Sequence, residues 1–300
     1  MPLIGFLHGG SAKPFAHHEV AFRKGLAETG HVEGKNLAFE FRWADGQDDR
    51  LPALAADLVQ RRAALIATGG GSRSAFAAKS ATASIPIVFT TGGDPIKLGL
   101  VTSLSRPTAN VTGVIFFGSA LGPKPMELLR ELVPKAAAIA VLVNPGNPTT
   151  EGYLKEVHAG ARATGVEIKV LLARTAGDLD IAFASMVEKQ VHGLLVGGDA
   201  LFVGNRKHLV ALAARYAIPT IYLQREYVED GGLMSYGNSQ TDAYREIGVY
   251  AGRILKGEKV SDLPVTQPTK FEFTLNLKTA KALGLTIPAT LLATADDVVE

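Results

Sequence analysis

Leu65-Ile66-Ala67-Thr68-Gly69-Gly70, followed by Ile85-Pro86-Ile87-Val88-Phe89, returns in altered form as Leu194-Leu195-Val196-Gly197-Gly198, followed by Ile218-Pro219-Thr220-Ile221-Tyr222. In each copy a short apolar run ends on paired glycines, and a helix-length stretch then leads to a second apolar run opened by Ile-Pro. Runs of this length, with helical stretches between them, are the pattern of parallel strands buried on both faces. The spacing upstream agrees. Gly30, which closes a helix ending Glu28-Thr29, stands 56 positions before Pro86, and Gly165, which closes one ending Ala163-Thr164, stands 54 positions before Pro219. Glycine suits both places because a left-handed residue ends a helix there, and the glycine pairs permit tight turns out of the strands. The two halves of the chain therefore read as similar α/β lobes.

Outward from these copies the same alternation continues. Strands are expected at 3–7, 36–42, 64–68, 86–90, 138–143, 166–172, 193–197 and 219–222. A long helix is expected at about 239–256, with Ile247, Ala251, Ile254 and Leu255 at core spacing. Three extended stretches, 110–117, 233–237 and 264–276, read as crossings between the lobes. The expected division is 1–115 with 238–268 as the first lobe and 116–237 with 269–300 as the second. Lobes tied together this way can close on a ligand without separating.

Composition narrows the function classes. The chain has 300 residues, enough for about two domains. Its 31 Lys and Arg against 29 Asp and Glu leave a net charge of only +2, too little excess to neutralise a nucleic-acid backbone, so nucleic acid is not the expected partner. No apolar run reaches the roughly 18 residues of a membrane helix. The absence of cysteine removes disulfides, thiolate metal sites and thiol nucleophiles together.

In parallel sheets ligands bind beyond the carboxyl ends of the strands, where helix N-termini present unpaired N–H groups. In the first lobe this directs attention to Ser11, Thr68, Gly70, Ser72, Thr90 and Asp94, and in the second to Asn144, Asp199, Phe202, Tyr222 and Tyr236. The Gly69-Gly70-Gly71-Ser72 loop suits an anion such as a ligand carboxylate, with Thr68 and Ser72 as hydroxyl donors. Ser72 is also a natural helix cap, and the two roles are compatible. Asp94 and Asp199 occupy similar places in the two lobes and suit a ligand ammonium, although each is also a common turn or cap residue. Phe15, Phe117, Phe202, Tyr222 and Tyr236 are candidates to cover a flat or apolar ligand group.

Enzyme signatures are incomplete. Gly69-Gly70-Gly71-Ser72-Arg73-Ser74 has Ser where a dinucleotide fingerprint ends in Gly, and it follows the third strand. His8-Gly9-Gly10 resembles an esterase oxyanion loop, but the chain has no Gly-x-Ser-x-Gly turn. His17-His18-Glu19 lacks the second histidine of a helical zinc motif. No cofactor, metal site or catalytic residue is expected.

Gly30-His31-Val32-Glu33-Gly34-Lys35-Asn36, Phe41-Arg42-Trp43-Ala44-Asp45-Gly46 and Arg50-Leu51-Pro52-Ala53-Leu54-Ala55 resemble the ABC transporter substrate-binding proteins of the tryptophan/tyrosine-binding type. Gly231-Gly232-Leu233-Met234-Ser235-Tyr236-Gly237 and Leu263-Pro264-Val265-Thr266-Gln267-Pro268-Thr269-Lys270-Phe271-Glu272, continuing to Asn276-Leu277-Lys278-Thr279-Ala280, carry the resemblance more specifically. It implies the periplasmic-binding-protein type I fold, with two Rossmann-like lobes and a ligand cleft between them. It further implies a periplasmic protein, monomeric, with its signal peptide absent from this sequence, that hands a small solute to an inner-membrane ABC permease. By the same resemblance Thr68, Ser72, Asp94, Asn144 and Asp199 fall in ligand-facing loops. His8-Gly9-Gly10 departs from the family's usual Ser/Gly-rich first turn. The expected function is capture of a small carboxylate-bearing ligand, an amino acid of aromatic or related kind. The alternatives are the ligand-sensing domain of a regulator and a cofactor-dependent α/β enzyme.

Overall fold

The computed structural model describes residues 1–107, 109–116, 123–267 and 270–300. The chain divides into two compact units, Met1–Gly118 with Gln240–Pro268, and Ser119–Ser239 with Thr269–Glu300.

The first unit is built on strands β1 (Leu3–His8), β2 (Ala38–Trp43), β3 (Leu65–Gly69), β4 (Ile87–Thr91) and β5 (Val111–Ile115). They form one sheet in the order β2-β1-β3-β4-β5, and every pairing is parallel. Helices cover both faces, which is why the inner strands are apolar throughout rather than alternating. Helices α2 (Leu51–Gln60) and α3 (Ser72–Ala81) lie over one face, where Ala55, Leu58, Ala75 and Ala78 bury Leu7, Ile66, Ile87 and Phe89. The other face, with Phe6 and His8, meets α1 (Ala16–Glu28) and the long helix Gln240–Leu255, α10 in chain order.

Helices α1 and α10 touch backbone to backbone because glycines face each other. A Cβ on Gly25 would lie 1.9 Å from the Arg245 carbonyl oxygen, and one on Gly248 would lie 2.2 Å from that of Phe22. Along α10 the buried side is Ala243, Tyr244, Ile247, Tyr250 and Ala251, whereas Ile254 and Leu255 are only half-buried because the helix ends there.

The second unit holds β6 (Ala138–Val143), β7 (Glu167–Leu172), β8 (Leu194–Val196), β9 (Thr220–Tyr222), β10 (Met234–Gly237), β11 (Glu272–Asn276) and β12 (Asp297–Val299). The order is β12-β11-β10-β9-β8-β6-β7, parallel except for the antiparallel pair of β10 and β11. Helices α4 (Pro123–Leu132) and α5 (Thr150–Thr164) bury Met126, Leu129 and Val157 against Ile139, Val141 and Phe273. On the opposite face α6 (Ala176–Glu188) and α8 (Arg206–Arg215) bury Leu179, Phe183, Leu209 and Leu212 against Ala140, Leu142 and Leu194. Helix α6 starts on a capping box in which Thr175 and Asp178 exchange hydrogen bonds with each other's backbone.

The eight expected strands are present, with ends moved by one or two residues. The three stretches read as crossings run up to or across the points where the chain passes from one unit to the other, and each also contributes a strand to a sheet. Residues 111–115 form the edge strand β5, 234–237 form β10, and 272–276 pair with β10 as β11, placing Phe273 opposite Tyr236. Burial on both faces explains why the end of the last stretch is a strand: Phe273, Thr274 and Leu275 have no exposed side to leave outside a sheet.

Candidate functional site

In the first unit the strand order sets the carboxyl ends of β1, β3 and β4 side by side, and a buried polar chain joins them. His8 Nδ1 accepts from the Gly10 N–H at 2.9 Å, so the ring proton sits on Nε2 and is donated to Tyr244 Oη at 3.1 Å. The Gly70 N–H donates to the same oxygen at 3.0 Å. Thr90 Oγ1 donates to the Thr68 carbonyl at 3.4 Å. The His8 ring lies between Phe15, 4.4 Å away, and Trp43, 4.8 Å away. Complete burial, with His17 nearby, brings the His8 pKa down to about 3, so the ring is neutral; burial likewise pushes Tyr244 up to about 12.

Gly70 holds this arrangement together. Its φ is +73°, and a Cβ there would come within 2.7 Å of both the Gly9 nitrogen and the His8 ring. The residue thus needs to be glycine twice over, for its conformation and for its space.

On the opposite face of the same strand ends lies a group of hydroxyls. Ser72 Oγ is 2.7 Å from Thr91 Oγ1, which also accepts from the Gly93 N–H at 3.2 Å. Ser74 Oγ donates to the carbonyls of Gly69 and Gly71. The Thr68 hydroxyl is fully buried and has no hydrogen-bond partner among the described residues. Ser72 does not cap α3: it is the first residue of the helix, Gly71 stands at the cap position, and the Ser72 hydroxyl turns to Thr91 instead. Ser11 is half-buried in the loop beyond β1. Asp94 closes a turn, its Oδ1 accepting from the N–H groups of Ile96 at 2.9 Å and Lys97 at 3.3 Å.

In the second unit β6 and β8 are neighbours, and their following loops meet at Asp199. Oδ1 accepts from Asn144 Nδ2 at 3.1 Å and from the Leu201 N–H at 2.9 Å, the latter capping the short helix α7 (Ala200–Gly204). Oδ2 accepts from Asn147 Nδ2 at 2.8 Å. Three donors thus surround one carboxylate, while Asn144 and Asn147 are fixed in turn by the Gly146 and Thr149 N–H groups. Asn147 was not singled out from the sequence, although it lies in the same strand-end loop as Asn144.

The described aromatic candidates differ in burial. Phe202 is fully buried in the hydrophobic cluster with Phe183 and Leu209. Tyr222 joins that cluster and stacks on Tyr227 at 4.4 Å. Tyr236 is half-buried, packed beside the other cluster and stacked on Phe271 at 5.9 Å. Phe15 is buried beside His8. Phe117 lies outside the described residues. The expected ligand-covering role of Phe202 and Tyr222 therefore gives way to a core role, because both side chains turn toward the sheet face covered by α6 and α8.

Sequence reasoning missed Tyr244, Gln224 and Asn238. Gln224, 5% exposed, precedes α9 (Arg225–Glu229), and Asn238, 4% exposed, directly follows β10; their strand-end positions were the available signal. Tyr244 gave none, being one of several apolar residues on a helix.

Each unit is an open α/β sheet whose hydrogen-bonding groups gather at the carboxyl ends of its strands, the construction of a small-solute receptor. The chain belongs to the ABC transporter substrate binding protein family, whose pattern matches residues 15–299. Over 264 residues it is 30% identical to a tyrosine-binding protein of Clostridioides difficile (strain R20291), an alignment spanning 88% of this chain and 75% of that one. A conserved domain protein of Vibrio cholerae superposes with a TM-score of 0.91 at 26% identity, covering 99% of both chains. The ABC domain in complex with L-Trp from Streptococcus pneumonia superposes with a TM-score of 0.87 at 26% identity, covering 99% of this chain and 100% of that one. The family comprises substrate-binding proteins, not enzymes; its members bind small molecules, work with a membrane permease, and are typically periplasmic or extracellular. No described helix is long and apolar enough to cross a membrane.

Proposed function

We propose that this protein is the receptor of an ABC importer for an α-amino acid, with aromatic amino acids the first class to test, and that it works as a periplasmic monomer. The observation that carries the reading is the contrast in chemistry between the two strand-end clusters. The first unit offers hydroxyls and loop N–H groups at Thr68, Ser72, Thr90, Thr91 and the start of α3, and the carboxylate nearest in sequence, Asp94, is committed to the turn it closes. The second offers the Asp199 carboxylate with its carboxamide neighbours. Donors suit the ligand carboxylate and the acid suits its ammonium.

In this reading Ser11, Gly70 and Ser72 belong to the carboxylate side and Asn144 and Asp199 to the ammonium side. The names of the relatives support it, since one is a tyrosine-binding protein and another was solved with L-Trp. Charge-assisted hydrogen bonds contribute about 1.5–3 kcal/mol each, so three or four offset the entropic cost of association and leave micromolar or tighter affinity. Calorimetric titration with L-tyrosine and L-tryptophan, beside D-glucose as a neutral control, tests the reading. Saturable binding of an amino acid supports it, and a protein that takes the sugar but neither amino acid refutes it. Light scattering on the eluting protein tests the monomer.

A further inference from the structure

Asn238 differs from three other asparagines of its unit. Asn144, Asn147 and Asn276 each use both ends of the side chain: Asn144 pairs with Asp199 and the Gly146 N–H, Asn147 with Asp199 and the Thr149 N–H, and Asn276 with the Val228 carbonyl and the Thr279 N–H. Asn238 is 4% exposed, yet neither its Oδ1 nor its Nδ2 has a hydrogen-bond partner among the described residues. A buried carboxamide left unpaired at both ends is unfavourable, and a hydrocarbon side chain of the same size would fit such a place at lower cost.

The place itself is rigid. Gly237 closes β10 so tightly against the strand-end loop after β9 that a Cβ there would lie 2.0 Å from the Leu223 carbonyl oxygen. The backbone just before Asn238 is therefore fixed at the carboxyl edge of the sheet, beside Leu223 and Gln224. That is the edge at which parallel sheets bind ligands.

We propose that Asn238 contacts the bound solute, its Oδ1 accepting from the ligand ammonium and its Nδ2 donating to a ligand oxygen. A carboxamide carries one acceptor and one donor group on adjacent atoms, and an α-amino-acid head group presents the complementary pair. The assignment rests on the amino-acid reading above and adds to it a further residue that recognises the head group.

The test uses the full chain, its Asn238→Leu and Asn238→Ala variants, L-tyrosine and L-tryptophan as probes, and two readouts, calorimetric affinity and the melting midpoint without ligand. The ligand-contact role predicts opposite signs: affinity for whichever amino acid the parent binds falls about 10–100-fold, while the ligand-free midpoint of Asn238→Leu stays level or rises. An asparagine that only supports the fold gives the reverse, a lower midpoint with affinity retained in the folded fraction, and this overturns the proposal. Should Asn238→Leu not fold, Asn238→Ala decides by affinity, together with the parent's Asn238 side-chain amide resonances, which must shift on ligand addition. If the parent binds neither amino acid, the amino-acid reading fails and the assignment falls with it. If the parent binds and both variants bind within twofold of it, the assignment alone fails.

Discussion

His8 and Tyr244, 236 positions apart in the chain, are joined by a buried hydrogen bond of 3.1 Å from His8 Nε2 to Tyr244 Oη, and the Gly70 N–H donates to the same phenol oxygen. One hydroxyl on α10 thereby fixes the ends of β1 and β3 together. Tyr244→Phe keeps the ring and its stacking on His18 but leaves the buried His8 Nε2–H and the part-buried Gly70 N–H without an acceptor. The expected loss is about 2–4 kcal/mol of unfolding free energy, measured by urea denaturation. Because the Gly70 loop is also released, affinity for the solute should fall even under conditions where the variant is fully folded.

The same pair sets a pH dependence. His8 is held at about 3 in the folded protein against an ordinary value of 6.5, so the unfolded chain takes up a proton that the folded one refuses. The contribution to stability is complete above pH 6.5, is lost as pH falls toward 3, and follows a slope of about 1.4 kcal/mol per pH unit within that window. His31, also lowered by partial burial and by Lys256, acts in the same direction. Asp57, Asp178 and Glu258, whose carboxyls are lowered by their hydrogen-bond partners, add their own losses at more acid pH. The comparison therefore belongs between pH 7 and 5, where His8→Gln should remove most of the slope. Fluorescence of Trp43, the chain's single tryptophan and 4.8 Å from the His8 ring, follows unfolding of this unit.

The strands were legible in the sequence because each is a compact apolar run closed by Gly, Pro or Asn, and two copies of one layout fixed their relative order. The fate of 270–276 was less legible. Its alternation signals a strand, but pairing with β10 depends on chain that returns from elsewhere. The burial of Phe202 and Tyr222 was hidden for a related reason. Phe202 and Tyr222 stand at strand ends, as ligand-facing residues do, and whether a side chain turns to the rim or to the face under α6 and α8 is decided by packing. Asn238 directly follows β10, but its distinguishing property, an amide with no hydrogen-bond partner among the described residues, exists only once the neighbours are in place.

The packing of α1 on α10 makes a prediction that reverses the ordinary effect of a glycine replacement. In an open helical position alanine stabilises over glycine by about 0.5–1 kcal/mol, and Gly152 on α5 is such a position, with nothing within 4 Å of an added Cβ. Gly152→Ala should gain that amount. At Gly248 the added carbon meets the Phe22 carbonyl oxygen at 2.2 Å and the Gly25 Cα at 3.1 Å. Two backbones cannot yield as a side chain can, so Gly248→Ala should lose about 1–3 kcal/mol despite its better helix propensity. Chemical denaturation of the two variants under one condition checks both signs.

Asp94 and Asp199 look equivalent in the sequence, but their surroundings separate them. Asp94 is more than a third exposed and its hydrogen bonds go to the turn it closes. Asp199 gathers two carboxamides and a helix N–H, and a carboxylate offers about four acceptor positions, so three donors leave room for one more. Asp199→Asn preserves size and an oxygen able to cap α7, yet removes the charge an ammonium would meet. The new amide nitrogen meets Asn147 Nδ2 donor to donor, so stability should fall by about 1–2 kcal/mol, while amino-acid affinity of the folded variant falls about 10–100-fold. Asp94→Asn can still close its turn and should leave affinity within about twofold of the parent. Parallel calorimetric titrations decide the matter: equal losses in both variants would mean that the two acids share the ligand's charge, and equal retention would remove Asp199 from ammonium recognition.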